Sequence, residues 1–210
     1  MHPVALLGFL VGIIELIIGY IAIKRYREVG IDGLKLFALG VILLGIGQFL
    51  CKFIGHGILS LPESYAVGVP FKFIGLVLVI YSLLDIVGTK YVTSVTVLGI
   101  ILGIVFMITS FYSLSVLGKP TFILFGIPHL LFLTLFPWIG AYAIYEMYKD
   151  SKDIGALTFS LGLFIYGLAT IINVVLTTAV GLAMFYSMSI ALSVRLIGLI
   201  VMLTGFFIER

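Results

Sequence analysis

Charged residues are scarce in this chain of 210 residues, and their scarcity is its most informative property. Asp, Glu, Lys and Arg together make up 10% of the sequence, whereas 62% is hydrophobic and the mean hydropathy is +1.33. A soluble domain carries about 25% charged residues. The composition therefore excludes a soluble catalytic or output domain and predicts an integral membrane protein, a single domain over residues 1–210.

Residues that bind metals or act as nucleophiles are also few. The only cysteine, Cys51, excludes an intramolecular disulfide and a thiolate metal cluster. The three histidines, His2, His56 and His129, have no metal-ligand spacing, and we find no nucleophile paired with a base. The sequence thus predicts no enzyme, no metal site and no cofactor. The net charge of +3 reflects basic residues interleaved with acidic ones in the turns, which does not favour nucleic acid as a partner.

Long apolar runs fill most of the chain. Seven of them reach roughly 20 residues, the length that a helix needs to cross the hydrocarbon core of a bilayer. They cover residues 3–23, 34–53, 66–86, 91–117, 121–145, 154–176 and 185–208. Strands of a membrane barrel would instead alternate in polarity over about ten residues. The runs predict an all-α integral membrane protein with seven transmembrane helices in contact with lipid.

The basic residues between these runs predict the orientation, because Lys and Arg are retained on the cytoplasmic side. One side has Lys24, Arg25, Arg27, Lys35, Lys90, Lys149, Lys152 and Arg210, and the other has Lys52 and Lys119. This asymmetry predicts a multi-pass protein of the cell membrane with its N-terminus outside and its C-terminus in the cytoplasm. The basic cluster follows the first run instead of preceding it, so we expect no cleavable signal peptide.

The chain also repeats itself at an offset of about 122 residues. The first copy contains Tyr26, Gly33, Phe37, Leu39, Gly40 and Gly45, and the second contains Tyr148, Gly155, Phe159, Leu161, Gly162 and Gly167. Shorter matches relate Ile18, Gly19, Lys72 and Gly75 to Ile139, Gly140, Arg195 and Gly198. The repeat predicts a duplicated three-helix unit: repeat A over residues 1–88, a linker helix over 89–118, and repeat B over 119–210.

Corresponding spans of the two repeats lie four crossings apart, so both repeats have the same orientation. They would be related by a pseudo-twofold axis along the membrane normal. This parallel 3+1+3 plan resembles that of SWEET sugar transporters and PnuC-type vitamin transporters, and a similar seven-helix layout is seen in microbial rhodopsins. The first two resemblances imply transport around a site between the halves. No proline is followed by glutamine, as in SWEET repeats, and the last run has Arg195 but no lysine to hold retinal.

Two GxxxG pairs, Gly8 with Gly12 and Gly99 with Gly103, are typical of close helix packing in lipid. Small residues at this spacing let helix backbones approach each other. The pairs predict helix contacts within the chain. We also expect that an oligomer can form through the same helix faces.

Ionisable groups inside the spans carry the functional hypothesis, because each costs several kcal/mol at the bilayer centre unless it is paired or hydrated. The candidate ligand-binding residues are Glu15, Lys72, Arg195, His129, Gln48 and Asn173. If the two repeat-related cations face the central axis, they would form a pocket for a carboxylate, a phosphate or an acidic lipid headgroup. Glu15 and His129 would then take up a proton with the ligand.

Each of these residues also has a structural interpretation. Lys72 lies near the end of its run and would snorkel to the headgroups. Glu15 would form an ion pair with Lys72 or Arg195 that only fixes helix positions. His129 would be a hydrogen-bonded packing residue.

Three functions remain open at this point. The first is a carrier or facilitator for a small anionic or amphipathic solute, in which the two halves rock about a central site. The second is a receptor-like sensor that binds a lipophilic or anionic ligand and signals to a cytoplasmic partner. The third is a structural subunit of a larger membrane complex.

Overall fold

The computed structural model describes residues 3–54, 61–117 and 121–208, and these residues are almost entirely helical. The helices are α1 (Pro3–Val29), α2 (Asp32–Gln48), α3 (Leu61–Val87), α4 (Val92–Ser115), α5 (Ile127–Leu133), α6 (Leu135–Ser151), α7 (Ile154–Thr178) and α8 (Met184–Gly205). Two π-helical segments, π1 (Phe49–Ile54) and π2 (Phe122–Gly126), follow α2 and precede α5.

Seven helical segments of the described chain are long and apolar enough to cross a membrane, as predicted. They cover Pro3–Val29, Asp32–Cys51, Ala66–Val87, Val92–Ser115, Phe122–Ser151, Ile154–Thr178 and Phe185–Gly205. The first and fifth segments extend about six residues beyond the predicted apolar runs, because the Lys, Arg and Glu residues at their ends are good helix formers. The predicted charged residues His2, His56, Lys119 and Arg210 lie outside the described residues.

The fifth span is a broken helix composed of π2, α5 and α6. Pro137 has no N–H, and its ring clashes with the carbonyl four residues earlier, which belongs to Leu133. The α5 helix accordingly ends at Leu133, and Trp138 N–H donates to the Thr134 carbonyl at 3.1 Å as α6 begins. The break leaves the Leu133 carbonyl available to a neighbouring helix.

Short turns join the spans at one end of the bundle, which we call the Gly30 end; it comprises the turns after α1, α3 and α6. Gly30 and Gly88 have φ of +71° and +72°, a left-handed conformation that glycine adopts without strain. Asp153 caps α7 by accepting a hydrogen bond from Gly155 N at 2.9 Å. The loop between α7 and α8 lies at the opposite end, the Gly181 end.

Glycines bring two helix pairs into backbone contact. A Cβ atom added to Gly40 in α2 would lie 2.7 Å from the Gly75 carbonyl oxygen in α3. Likewise, a Cβ atom added to Gly162 in α7 would lie 2.6 Å from the Gly198 carbonyl oxygen in α8. Lipid provides no hydrophobic drive between helices, so this close approach supplies the packing energy instead. Further contacts join α1 to α2 and α8, and α6 to α7 and α3.

Helix α4 lies at the periphery, packed on α3 and α5. Its Gly99 is buried by the ring of Phe136, and its Gly103 is buried by the rings of Phe73 and Phe132. Gly8 and Gly12 are also buried within the bundle. Oligomer formation through the GxxxG faces stays a prediction, and it would require these covering rings to move.

We expect Gly40→Ala and Gly162→Ala each to lower the free energy of unfolding by about 1–3 kcal/mol, because the added methyl group would force two backbones apart. Thermal unfolding in detergent measures this loss. Leu39→Ala is the matched control, since Leu39 lies on α2 beside Gly40 but is exposed on the bundle surface. Unchanged unfolding of both glycine variants would contradict the backbone contacts.

Candidate functional site

A cavity of about 70 Å³ lies inside the half of the bundle nearer to the Gly181 end. Helices α2 to α5, α7 and α8 and segment π1 contribute to its wall. Its polar lining consists of Cys51, Lys72, His129, Tyr166, Thr170, Asn173 and Arg195. Four of the six predicted site residues, on four different helices, therefore meet around one internal space.

Arg195 is held in place by stacking and a hydrogen bond. Its guanidinium carbon lies 4.7 Å from the centroid of the Tyr166 ring, a cation–π contact. Nη2 donates to Thr170 Oγ1 at 3.4 Å, and Nε is buried without a partner among the described residues. Arginine has five N–H donors in a rigid plane, so the stacked group retains donors for a ligand.

Pro137 helps to position this arginine from a distance. The Leu133 carbonyl, which the proline prevents from forming its helical bond, accepts a hydrogen bond from Thr170 Oγ1 at 3.4 Å. The Thr170 hydroxyl uses its proton in this bond, so its lone pairs remain for Arg195. The helix break at α5 and α6 thus sets the direction of the hydroxyl that Arg195 contacts.

Lys72 lines the cavity, so the structure places its partly buried side chain on the cavity wall. Its ammonium group interacts with the buried Cys51 side chain. Backbone packing explains this position: Gly47 approaches the backbone of Lys72 closely enough that an added Cβ would lie 3.0 Å from its N atom.

Glu15 is the buried acidic group of this region, with 1% of its surface exposed. The hydroxyl of Tyr166 donates to its Oε1 at 3.1 Å, whereas Oε2 has no hydrogen-bond partner among the described residues. Lys72 and Arg195 attract the carboxylate electrostatically, yet the described side chains form no ion pair between it and either cation. Glu15 therefore acts on the cavity through Tyr166 and does not line it.

His129 is packed between two aromatic rings. Its ring stacks on Phe125 with centroids 3.8 Å apart and meets Phe106 edge-on at 4.6 Å. Nδ1 lies 2.7 Å from the Phe125 carbonyl oxygen. A carbonyl only accepts, so Nδ1 carries a proton. His129 is therefore a packed, hydrogen-bonded residue that also lines the cavity.

The two predicted amides differ in their placement. Asn173 lines the cavity, and its Oδ1 is buried without a partner. Gln48 is also buried, and neither its oxygen nor its nitrogen has a partner among the described residues. It does not reach the cavity wall, so the structure does not bring it to the site. Buried polar groups normally have partners, so such unsatisfied atoms point to water or a ligand close by.

Sequence reasoning missed Tyr166 and Thr170, although a signal for them exists. Together with Asn173 they occupy positions i, i+4 and i+7 of α7, which lie on one face of a helix. A polar face within an apolar span would have identified them.

A second cavity, which we call the vestibule, opens at the Gly30 end and has a volume of about 630 Å³. Its wall is mostly apolar, with Arg25 and Asp153 as its charged members. Phe37, Phe159 and Phe206 form an aromatic layer in its wall, with ring centroids 5.5–6.5 Å apart.

Searches against protein families, curated proteins and solved structures found no match to this chain.

We expect Tyr166→Phe to lower the free energy of unfolding by about 1–3 kcal/mol, because the Glu15 carboxylate would lose its buried hydrogen-bond donor. The phenyl ring preserves the packing against Arg195, so the change tests the hydroxyl alone. Thermal unfolding in detergent measures the loss, and the exposed Tyr186→Phe serves as control. Equal stability of the two variants would contradict the bond to Glu15.

Proposed function

We propose that this chain is a carrier or facilitator for a small anion, with two like-oriented three-helix halves that rock about the cavity. The observation that carries the proposal is the meeting of Lys72 and Arg195 at one internal cavity. These residues occupy corresponding positions of the two repeats. Two cations on a shared wall attract an anion that neither would bind alone inside a membrane.

The helix contacts support the duplication. The contact of Gly40 with Gly75 in α2 and α3 corresponds to that of Gly162 with Gly198 in α7 and α8, at an offset of about 122 residues. The interface of α1 with α8 corresponds to that of α6 with α3, because a twofold operation exchanges them. Such exchange is expected for parallel repeats around an axis along the membrane normal.

The residues in the two cavities follow the same relation. The wall of the smaller cavity contains the corresponding pairs Leu44 and Tyr166, Cys51 and Asn173, Val69 and Leu192, and Lys72 and Arg195. The vestibule contains Leu34 and Ala156, Phe37 and Phe159, and Leu83 and Phe206. Residues that correspond under a twofold operation face each other only near its axis. These pairs support a path along the axis between the halves.

The charges favour an anion. Lys72 and Arg195 contribute two positive charges near the cavity, and Glu15 contributes one negative charge. When all three are ionised, one positive charge remains uncompensated in a region of low dielectric constant. A bound monoanion would neutralise it.

The aromatic layer is the barrier in this proposal. Phe37, Phe159 and Phe206 lie between the vestibule and the interior of the bundle, and Phe37 and Phe159 correspond in the two repeats. Rocking of the halves would separate these rings and connect the site with the vestibule. Glu15 in α1 and Tyr166 in α7 belong to different halves, so their bond reports the relative position of the halves.

The distribution of basic residues supports an N-terminus outside the cell and a vestibule that opens to the cytoplasm. In a Cys51→Ala background, we expect a membrane-impermeant maleimide to label Ile31→Cys only from the cytoplasmic side and Val180→Cys only from outside. Both positions are exposed and lie at opposite ends of the bundle. The reverse labelling pattern would overturn the orientation.

We expect Lys72→Ala and Arg195→Ala each to reduce anion flux into proteoliposomes at least tenfold, because each removes one of the two cations at the cavity. Flux of labelled small anions measures the effect, and Lys35→Ala is the control, since Lys35 is exposed.

Full flux in both cavity variants would show that the site is assigned wrongly. Binding of an anion without flux in the unmodified protein would favour the receptor-like function instead.

A further inference from the structure

The cavity wall differs between its two sides, and this difference bears on the substrate. We propose, building on the carrier function above, that the site binds a small monocarboxylate. Its carboxylate lies against α7 and α8, and its short apolar end lies against α2 and α3.

Hydrogen-bonding groups are concentrated on the repeat B side of the cavity. Tyr166, Thr170, Asn173 and Arg195 all lie on α7 or α8. The positions that correspond to Tyr166 and Asn173 in repeat A are Leu44 and Cys51, which offer an isobutyl group and a thiol. A ligand in this cavity therefore meets the Arg195 guanidinium and the Asn173 amide on the repeat B side, whereas the repeat A side offers Lys72 and Cys51 among the carbon atoms of Leu44, Val69 and Leu76.

The donors on the repeat B side suit a carboxylate. The planar guanidinium of Arg195, whose Nη2 is bonded to Thr170, matches the two oxygens of a carboxylate. The Lys72 ammonium on α3 adds a point charge that stabilises the anion without fixing its direction. Arginine therefore orients the ligand, whereas lysine contributes attraction.

The opposite side suits a short apolar group. Leu44, Val69 and Leu76 of α2 and α3 present only carbon atoms to the cavity. An inorganic anion would leave this surface in contact with water or with empty space. Each buried methylene group improves binding about fourfold, so a ligand with an apolar end gains from the same surface.

Size and charge narrow the class further. The volume of about 70 Å³ corresponds to roughly two water molecules at their share of liquid volume, so the cavity favours a ligand of few heavy atoms, such as acetate or propionate. With Glu15, Lys72 and Arg195 all ionised, the one uncompensated positive charge matches a monoanion, whereas a dianion such as sulfate would then leave a buried negative charge. Acetate and propionate satisfy all of these conditions.

Counterflow of labelled acetate in proteoliposomes tests the inference with the unmodified protein. We expect propionate to compete at least about fourfold better than nitrate, which has a similar charge but no apolar end, and better still than sulfate. Arg195→Lys should weaken acetate competition about tenfold, because an ammonium group cannot bind both oxygens in one plane. Lys72→Arg retains the charge and should change it less.

Leu44→Ala tests the apolar end. The shortened side chain enlarges that side of the cavity, so we expect the preference to shift about fourfold from acetate toward butyrate. Leu39→Ala on the lipid-facing side of the same helix should leave the preference unchanged, and gel filtration checks that both variants fold.

Competition by nitrate equal to that by propionate, or a Leu44→Ala effect that is the same for all anions, would overturn the monocarboxylate inference and leave the carrier function intact. Absence of flux for every anion in vesicles that contain folded protein would overturn both.

Discussion

The cost of placing charge inside a membrane is the constraint on which this structure depends. Glu15, Lys72 and Arg195 would each cost several kcal/mol if they faced lipid. The bundle instead collects them around one interior region, where Tyr166 bonds to the carboxylate and stacks on the guanidinium. Buried charges of this kind are tolerated only where neighbouring polar groups bind them. The polar face of α7 and the helix break at Pro137 both help to provide such groups.

Backbone contact through glycine is what lets the bundle hold these groups. It is strongest within the pairs α2 with α3 and α7 with α8, where Gly40, Gly75, Gly162 and Gly198 leave no room for a side chain. The interface of α2 with α7 is made instead by the ring of Phe37 against that of Phe159, with the ring of Phe206 beside them. Side chains can change rotamer, whereas a backbone contact cannot relax without separating two helices. In the carrier proposal, relative movement would occur between the halves, across side-chain contacts of this kind.

Much of this arrangement could be predicted from composition and spacing. Hydropathy predicted seven membrane-length helices, and the cost of burying ionisable and polar groups selected Lys72, Arg195, His129 and Asn173, which share a cavity wall, together with Glu15 and Gln48, which do not line it. The break at Leu133, the distance of Gln48 from that wall and the role of Tyr166 depend on how helices rotate against one another. Helix rotation is set by packing between distant parts of the chain, about which hydropathy contains no information.

The substrate preference that we propose arises from the differences between the repeats. In the proposed duplication, both repeats contribute a cation to the cavity, but the position that would correspond to Glu15, at an offset of about 121 residues, is the buried Phe136. A second carboxylate there would neutralise the site and remove the attraction for an anion. In the same way, repeat B has Tyr166 where repeat A has Leu44. Tyr166 gives Arg195 a ring to stack on and gives Glu15 a hydrogen-bond donor. In the proposed duplication the cavity would lie on the axis because both repeats line it, whereas these substitutions would favour one charge and one ligand orientation.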